Sequence, residues 1–122
     1  MKYIMLVDDS EVIQTIVKNT LSFNNYKNIL TANNGKEALE IIKKNHNDIV
    51  MYILDVNMPE MDGLTLLSEI RKIDKNVTII MLTTESDKKK IMQAKEIGAT
   101  GWIIKPFDPE KFIQIVNMYM KD

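Results

Sequence analysis

"YILDVNMPEMDG", residues 52–63, begins as an apolar run and ends as a loop that contains Pro59 and Gly63. A continuous apolar run, without alternation of polar residues, is typical of a strand covered on both faces, as in parallel sheets flanked by helices. The run stops at Asp55, so a carboxylate stands where this buried strand should reach solvent.

The rest of the chain repeats the same kind of strand. Similar apolar runs cover Ile4–Val7, Asn28–Ala32, Val77–Leu82 and Trp102–Ile104, and the run around Tyr52 begins at Ile49. Apolar residues at helical spacing lie between and after these runs, and they predict five helices. The fifth helix has the clearest start, with Asp108 as N-cap and Pro109 at its first position, and Gly98 closes the fourth. Five successive βα units predict an α/β fold with a parallel sheet wrapped by helices on both sides.

Composition excludes several classes of function. The 122 residues suffice for one domain, and we expect a single unit over residues 1–122 with no effector domain. A net charge of −1 gives no support for a nucleic-acid surface. The absence of cysteine excludes disulfides and thiolate metal sites, and the cytoplasm is the expected compartment. No apolar stretch reaches the roughly 20 residues of a membrane span, so we expect no membrane insertion.

Polar side chains follow four of the predicted strands. In parallel sheets of this kind, ligands bind beyond the carboxyl ends of the strands. Taken singly, these residues have ordinary structural explanations, since Asp9 or Ser10 could cap the first helix. Together, three carboxylates at one edge would raise one another's pKa unless a cation lies among them, and Mg²⁺ prefers such oxygen ligands. The residues concerned are Asp8, Asp9, Asp55, Asn57, Thr83, Thr84 and Lys105.

A carboxylate beside a metal ion and a lysine can attack phosphorus. Lys105 and the metal ion would hold the oxygens of the transferring phosphoryl group, and Thr83 would donate a further hydrogen bond. The predicted product is an aspartyl phosphate on Asp55.

Four motifs in this order and spacing resemble the receiver domain of bacterial response regulators, over essentially the whole chain. They are V-D-D-S (7–10), D-V-N-M-P-E-M-D-G (55–63), M-L-T-T (81–84) and I-K-P-F (104–107). The resemblance is to stand-alone receivers of the CheY chemotaxis type, and the stretch 83–107 looks like one branch of them. It implies a flavodoxin-like, doubly wound sheet of five parallel strands in the order 2-1-3-4-5, with five helices.

The resemblance also implies a role for each residue of the site. Asp55 matches the phosphoacceptor, and Lys105 matches the lysine that contacts the phosphoryl group. The Mg²⁺ ligands would be Asp9, Asp55 and the backbone carbonyl of Asn57, with Asp8 acting through a bound water. The bond from Lys105 to Pro106 would be cis.

Further positions match the parts of the family that respond to phosphorylation. Thr83 and Trp102 fall at the switch positions, where this chain has Trp in place of the usual Tyr or Phe. Asn57 and Glu85 match positions that tune hydrolysis, and Thr84, where many relatives carry Ala, is expected to narrow access to the acyl phosphate. Phosphorylation would change the surface formed by the fourth helix, the fifth strand and the fifth helix, and the partner surface would include Lys88, Ile91, Trp102 and Ile104. We otherwise interpret the lysines at 88–90 as a solvated helix face, and His46 as a surface residue closing the second helix.

The function implied by the resemblance is a phosphorylation-controlled binding switch rather than an enzyme, although it would assist its own phosphorylation and dephosphorylation. A CheA-like histidine kinase would donate the phosphoryl group to this monomer, and the output partner would be the flagellar motor switch or another downstream protein. A phosphorelay intermediate that passes the group onward is an alternative within the family. An aspartate-nucleophile phosphatase of the haloacid dehalogenase type is disfavoured because Asn57 replaces the general acid. An FMN-binding flavodoxin is disfavoured because V-D-D-S would repel phosphate.

Overall fold

The computed structural model describes residues 1–120, apart from the side chain of Glu85. Strands and helices alternate along this part of the chain. The strands are β1 (Tyr3–Val7), β2 (Ile29–Ala32), β3 (Ile49–Asp55), β4 (Thr78–Thr84) and β5 (Gly101–Lys105). The helices are α1 (Glu11–Phe23), α2 (Gly35–Asn45), α3 (Gly63–Ile73), α4 (Lys88–Ile97) and α5 (Pro109–Met120). Short 3₁₀ turns at His46–Asp48 and Glu85–Asp87 lead into β3 and α4.

The strands form one parallel sheet in the order β2-β1-β3-β4-β5, which confirms the predicted topology. β1 lies between β2 and β3, so the chain leaves it toward opposite edges of the sheet. This reversal leaves a crevice beyond the carboxyl ends of β1 and β3. Val7 pairs with Leu54, which brings the aspartates that follow β1 beside the end of β3.

Two apolar layers enclose the sheet because alternate strand residues point to opposite faces. Met51 and Ile53 of β3 pack with α1 and α5 on one face. Tyr52 and Leu54 pack with α2, α3 and α4 on the other. These four side chains are fully buried. Burying one such side chain stabilises the folded chain by about 2 kcal/mol. The rigid double-sided core explains why the strand ends can hold polar side chains in fixed positions.

Predicted and observed elements differ mainly at strand ends. β3, β4 and β5 each extend one or two residues beyond the apolar run, to Asp55, Thr84 and Lys105. The polar residues therefore belong to the sheet itself, which orients them better than a loop would. α5 begins at Pro109 as predicted, and α4 ends at Ile97 with Gly98 as its C-cap, whose φ of 122° suits glycine.

His46 occupies the C-cap of α2 and is half-buried, in keeping with its predicted place at the end of that helix. Among residues 1–120, no helix is both long enough and apolar enough to cross a membrane.

Candidate functional site at the carboxyl edge of the sheet

The floor of the site, which we define as Asp8, Asp55 and Lys105, is a buried charge cluster. Lys105 Nζ lies 3.0 Å from Asp8 Oδ2 and 3.1 Å from Asp55 Oδ1. Asp8 is fully buried and Asp55 is 5% exposed. Asp55 and Lys105 are the last residues of β3 and β5, and Asp8 directly follows β1, so the parallel sheet sets their spacing. One ammonium group thus serves two buried carboxylates, and the floor retains a net negative charge.

The excess of negative charge in the floor changes the pKa values of its residues. The pKa of Asp55 is raised to about 6, mainly by burial and then by the charge of Asp8, against the opposing effect of Lys105. Burial alone would lower the pKa of Lys105, but its bonds to Asp8 and Asp55 outweigh this effect and raise it. The Asp55 carboxylate is therefore ionised near neutral pH while remaining poorly neutralised by its surroundings. A site in this condition favours an added cation.

Asp9 completes an acidic group at the mouth of the floor. Ligand oxygens of Asp8, Asp9 and Asp55 all lie within 4.8 Å of one another, and Asp9 is exposed. The helix cap is provided by Ser10, whose Oγ accepts from the Ile13 N–H at 3.3 Å, so Asp9 is not needed for that role. Three carboxylates against one ammonium leave a local charge suited to a divalent cation with oxygen ligands. The donor set fits Mg²⁺.

The loop after β3 wraps closely around Asp55. The Asn57 N–H donates to Asp55 Oδ1 at 3.3 Å. At Gly63, a Cβ atom would lie 2.2 Å from the Asp55 carbonyl oxygen, so only glycine allows α3 to begin so close to β3. Glu60 and Met61 adopt positive φ angles of 48° and 84° to complete this tight return. The Lys105–Pro106 peptide bond is cis, as the sequence resemblance implied.

A second group of side chains, which we call the wall, lies between the β3–α3 loop and the start of α4. The wall comprises Asn57, Thr83, Thr84, Asp87 and Lys90. Asp87 Oδ2 accepts from Thr84 Oγ1 at 2.8 Å, Asn57 Nδ2 at 3.0 Å and Thr83 Oγ1 at 3.3 Å. Lys90 Nζ donates to Asn57 Oδ1 at 2.5 Å. The hydrogen bonds that Asp87 accepts lower its pKa, and the bond from Thr84 has the largest effect.

Two members of the wall were missed by the sequence interpretation. Asp87 has the sequence position of an ordinary helix N-cap, yet it makes no side-chain cap hydrogen bond and faces Thr83, Thr84 and Asn57 instead. Lys90 was assigned to a solvated helix face, which holds for the exposed Lys88 and Lys89 but not for Lys90. Nothing in the sequence distinguishes Asp87 from a helix N-cap, or Lys90 from the lysines beside it.

The remaining candidate residues lie where the sequence placed them along the fold. Lys88 and Ile91 are on α4, and Trp102 and Ile104 are on β5 with exposed fractions of 40% and 39%. The half-exposed Trp102 ring is not enclosed by the core. The side chain of Glu85 lies outside the described residues.

Comparison with known proteins identifies the class. Residues 4–117 match the family "Response regulator receiver domain", and the chain belongs to that family. The match covers every residue of the floor and the wall.

Its relatives place it among CheY-like chemotaxis response regulators. It is 41% identical over 109 residues to the chemotaxis protein CheY1 of Helicobacter pylori, which covers 88% of this chain and 87% of that protein. CheY4 of Vibrio cholerae is 37% identical, with a TM-score of 0.87 and 98% of both chains covered. A structure of the CheX–CheY–BeF₃–Mg²⁺ complex from Borrelia burgdorferi gives 30% identity and a TM-score of 0.91, covering 99% of this chain and 90% of that chain. CheY-like receiver domains are signalling switches rather than conventional enzymes.

Proposed function

We propose that this chain is a chemotaxis switch that accepts a phosphoryl group on Asp55. The observation that carries the proposal is the position of the Asp55 carboxylate, at the end of β3, 3.1 Å from Lys105 and poorly neutralised. An ionised oxygen at such a rim is a competent nucleophile, and the adjacent ammonium favours an incoming anionic donor.

In the transfer step, one Asp55 oxygen attacks the phosphorus of a phosphohistidine on a CheA-like histidine kinase. The new P–O bond forms as the P–N bond breaks, and the released imidazole nitrogen takes a proton from solvent. Lys105 would stay with the phosphoryl oxygens, exchanging a carboxylate partner for a phosphate one. In a separate dephosphorylation step, water attacks the phosphorus and loses a proton to solvent as the P–O bond to Asp55 breaks, so that inorganic phosphate leaves and the Asp55 carboxylate is regenerated.

Asp9, Asp55 and the backbone carbonyl of Asn57 would hold Mg²⁺, with Asp8 acting through a water. When bound, the metal ion would neutralise charge on the phosphoryl oxygens during transfer. Asp8 keeps its ion pair to Lys105 and so maintains the lysine at the rim.

Phosphorylation would then change the partner surface. Thr83 Oγ1 would donate to the phosphoryl group, and Trp102 would turn inward behind it. Trp102 and Ile104 are half-exposed and two residues apart on β5, so they lie on the same face of the strand and such a movement would alter this apolar surface. Asn57, Thr84 and Glu85 would set how readily water reaches the acyl phosphate. The equilibrium shifts because the phosphoryl group contacts one state better than the other.

The similarity to chemotaxis proteins supports a proposal for the biological setting. We place the chain in the cytoplasm as a monomeric single receiver domain over residues 1–122. Its output partner would be the flagellar motor switch or another downstream protein.

Intact-mass measurement after incubation with acetyl phosphate tests the proposal. The wild-type chain should gain one phosphoryl group when Mg²⁺ is present and far less in EDTA. Asp55→Asn should gain none under either condition. Failure of the wild type to gain a phosphoryl group with Mg²⁺ would refute the proposed function.

A further inference from the structure

Asp87 holds the wall together through a single oxygen. Its Oδ2 accepts hydrogen bonds from Thr83, Thr84 and Asn57, which come from the end of β4 and from the loop after β3. Since Asp87 makes no helix-cap hydrogen bond, its carboxylate is committed to these three contacts among the described residues.

The contact with Thr83 competes with the role proposed for that residue. Thr83 is 1% exposed, and its hydroxyl has one proton to donate. In this structure the hydroxyl faces Asp87 Oδ2 at 3.3 Å and the Thr84 carbonyl at 3.4 Å. A phosphoryl group on Asp55 can receive that proton only after these contacts break.

Asn57 extends the same restraint across the mouth of the site. Its amide nitrogen donates to Asp87, and its amide oxygen accepts from Lys90. Both ends of this side chain are therefore tied to residues at or next to the first turn of α4. The loop that follows Asp55 is therefore joined through Asp87 to the start of α4.

We infer that Asp87 is a positioning residue that retains the Thr83 hydroxyl in the unphosphorylated chain and thereby slows phosphorylation of Asp55. This inference rests on the proposed function and assigns to Asp87 a role in its rate. Removing the carboxylate should release the hydroxyl and speed the reaction.

The test measures the rate of phosphorylation by acetyl phosphate with saturating Mg²⁺. Asp87→Ala should react about three- to tenfold faster than wild type, which is the fold-change expected for one hydrogen bond. Asp87→Asn, which keeps the side-chain volume, should also be faster. Glu96→Ala is the matched control, since it removes an exposed carboxylate from α4, and its rate should equal that of wild type.

Combining Asp87→Ala with a substitution at Thr83 distinguishes an effect on the Thr83 hydroxyl from a general effect of charge or structure. In Thr83→Ala the further change Asp87→Ala should have no effect, whereas in Thr83→Ser, which keeps a hydroxyl, the acceleration should return. Urea unfolding of each variant checks that the chain is folded.

The inference is overturned if both Asp87 variants react at the wild-type rate, or if Asp87→Ala accelerates the reaction equally in the Thr83→Ala background. Those results would leave the proposed function intact, because wild type would still be phosphorylated. A wild-type chain that takes no phosphoryl group would overturn both.

Discussion

The floor and the wall meet at the same rim but are built differently. The floor brings together charged groups at the ends of three strands, with Asp8 fully buried and Asp55 nearly so. The wall joins a loop to the start of a helix through side-chain hydrogen bonds, and Thr84 and Asn57 within it are exposed. Removing one partner from a buried charge cluster lowers stability strongly, whereas exposed polar contacts contribute little to stability. The floor is therefore suited to fixed chemistry and the wall to adjustment of rate.

The largest expected effect comes from removing the single cation of the floor. Lys105→Met keeps most of the side-chain length but leaves two buried carboxylates facing each other. We expect the free energy of unfolding to fall by about 3 kcal/mol, the lower end of the range for a broken buried ion pair, because the Lys105 side chain is 19% exposed. Urea denaturation without Mg²⁺ measures this loss.

The matched substitution in the wall is Lys90→Met, which removes a cation that contacts Asn57 alone among the described hydrogen bonds. Its effect on stability should stay within about 0.5 kcal/mol. Equal losses for the two lysine variants would show that floor and wall do not differ in the way described.

A smaller effect of opposite sign is expected at Asp55. Because its pKa in the folded chain is raised from 3.8 to about 6, ionising it opposes folding at neutral pH. Asp55→Asn should therefore stabilise the metal-free protein at pH 7.5 by about 1–2 kcal/mol. Glu96→Gln, which neutralises an exposed carboxylate, serves as control and should change little.

The pH dependence follows from the same shift. Between its ordinary pKa and about 6, Asp55 binds more protons in the folded chain than in the unfolded one. The stability of wild type should therefore rise relative to Asp55→Asn as pH falls through 6, and the difference should vanish near pH 4. A difference that stays constant across this range would contradict the raised pKa.

An effect on stability as small as that at Lys90 is expected at Thr84 in the wall. Its hydroxyl bonds Asp87 and Ser86, both at 2.8 Å, and the residue is exposed. Thr84→Ala should change stability by less than about 0.5 kcal/mol. Because the substitution widens access to Asp55, it should nevertheless speed the reaction with acetyl phosphate by about twofold. In free energy, this change is comparable to a weak hydrogen bond. Stopped-flow measurement of the Trp102 fluorescence follows this rate, and an unchanged rate would refute the role of Thr84 in access.

Much of the floor could be predicted from the sequence because its parts follow buried strands. A parallel sheet places Asp8, Asp55 and Lys105 at one edge regardless of the conformation of the loops. The apolar runs and the residues that follow them are therefore enough to predict the floor. The strand order was implied by the family resemblance, and the structure confirms it.

The wall could not be predicted in the same way. Asp87 and Lys90 reach Asn57 through side-chain rotamers and the entry angle of α4, neither of which leaves a periodic signal in the sequence. Local rules assign an aspartate before a helix to capping and a lysine run to solvent. Tertiary contacts across the mouth of the site override both rules here.

The most direct test of the central claim is the location of the phosphoryl group. After phosphorylation with acetyl phosphate and Mg²⁺, borohydride reduces an aspartyl phosphate to homoserine, which peptide mass spectrometry can locate. Homoserine should be found at position 55 in wild type and should be absent from Asp55→Asn. Homoserine at Asp8 or Asp9 instead, or none in a chain that has gained phosphate, would contradict Asp55 as the phosphoacceptor.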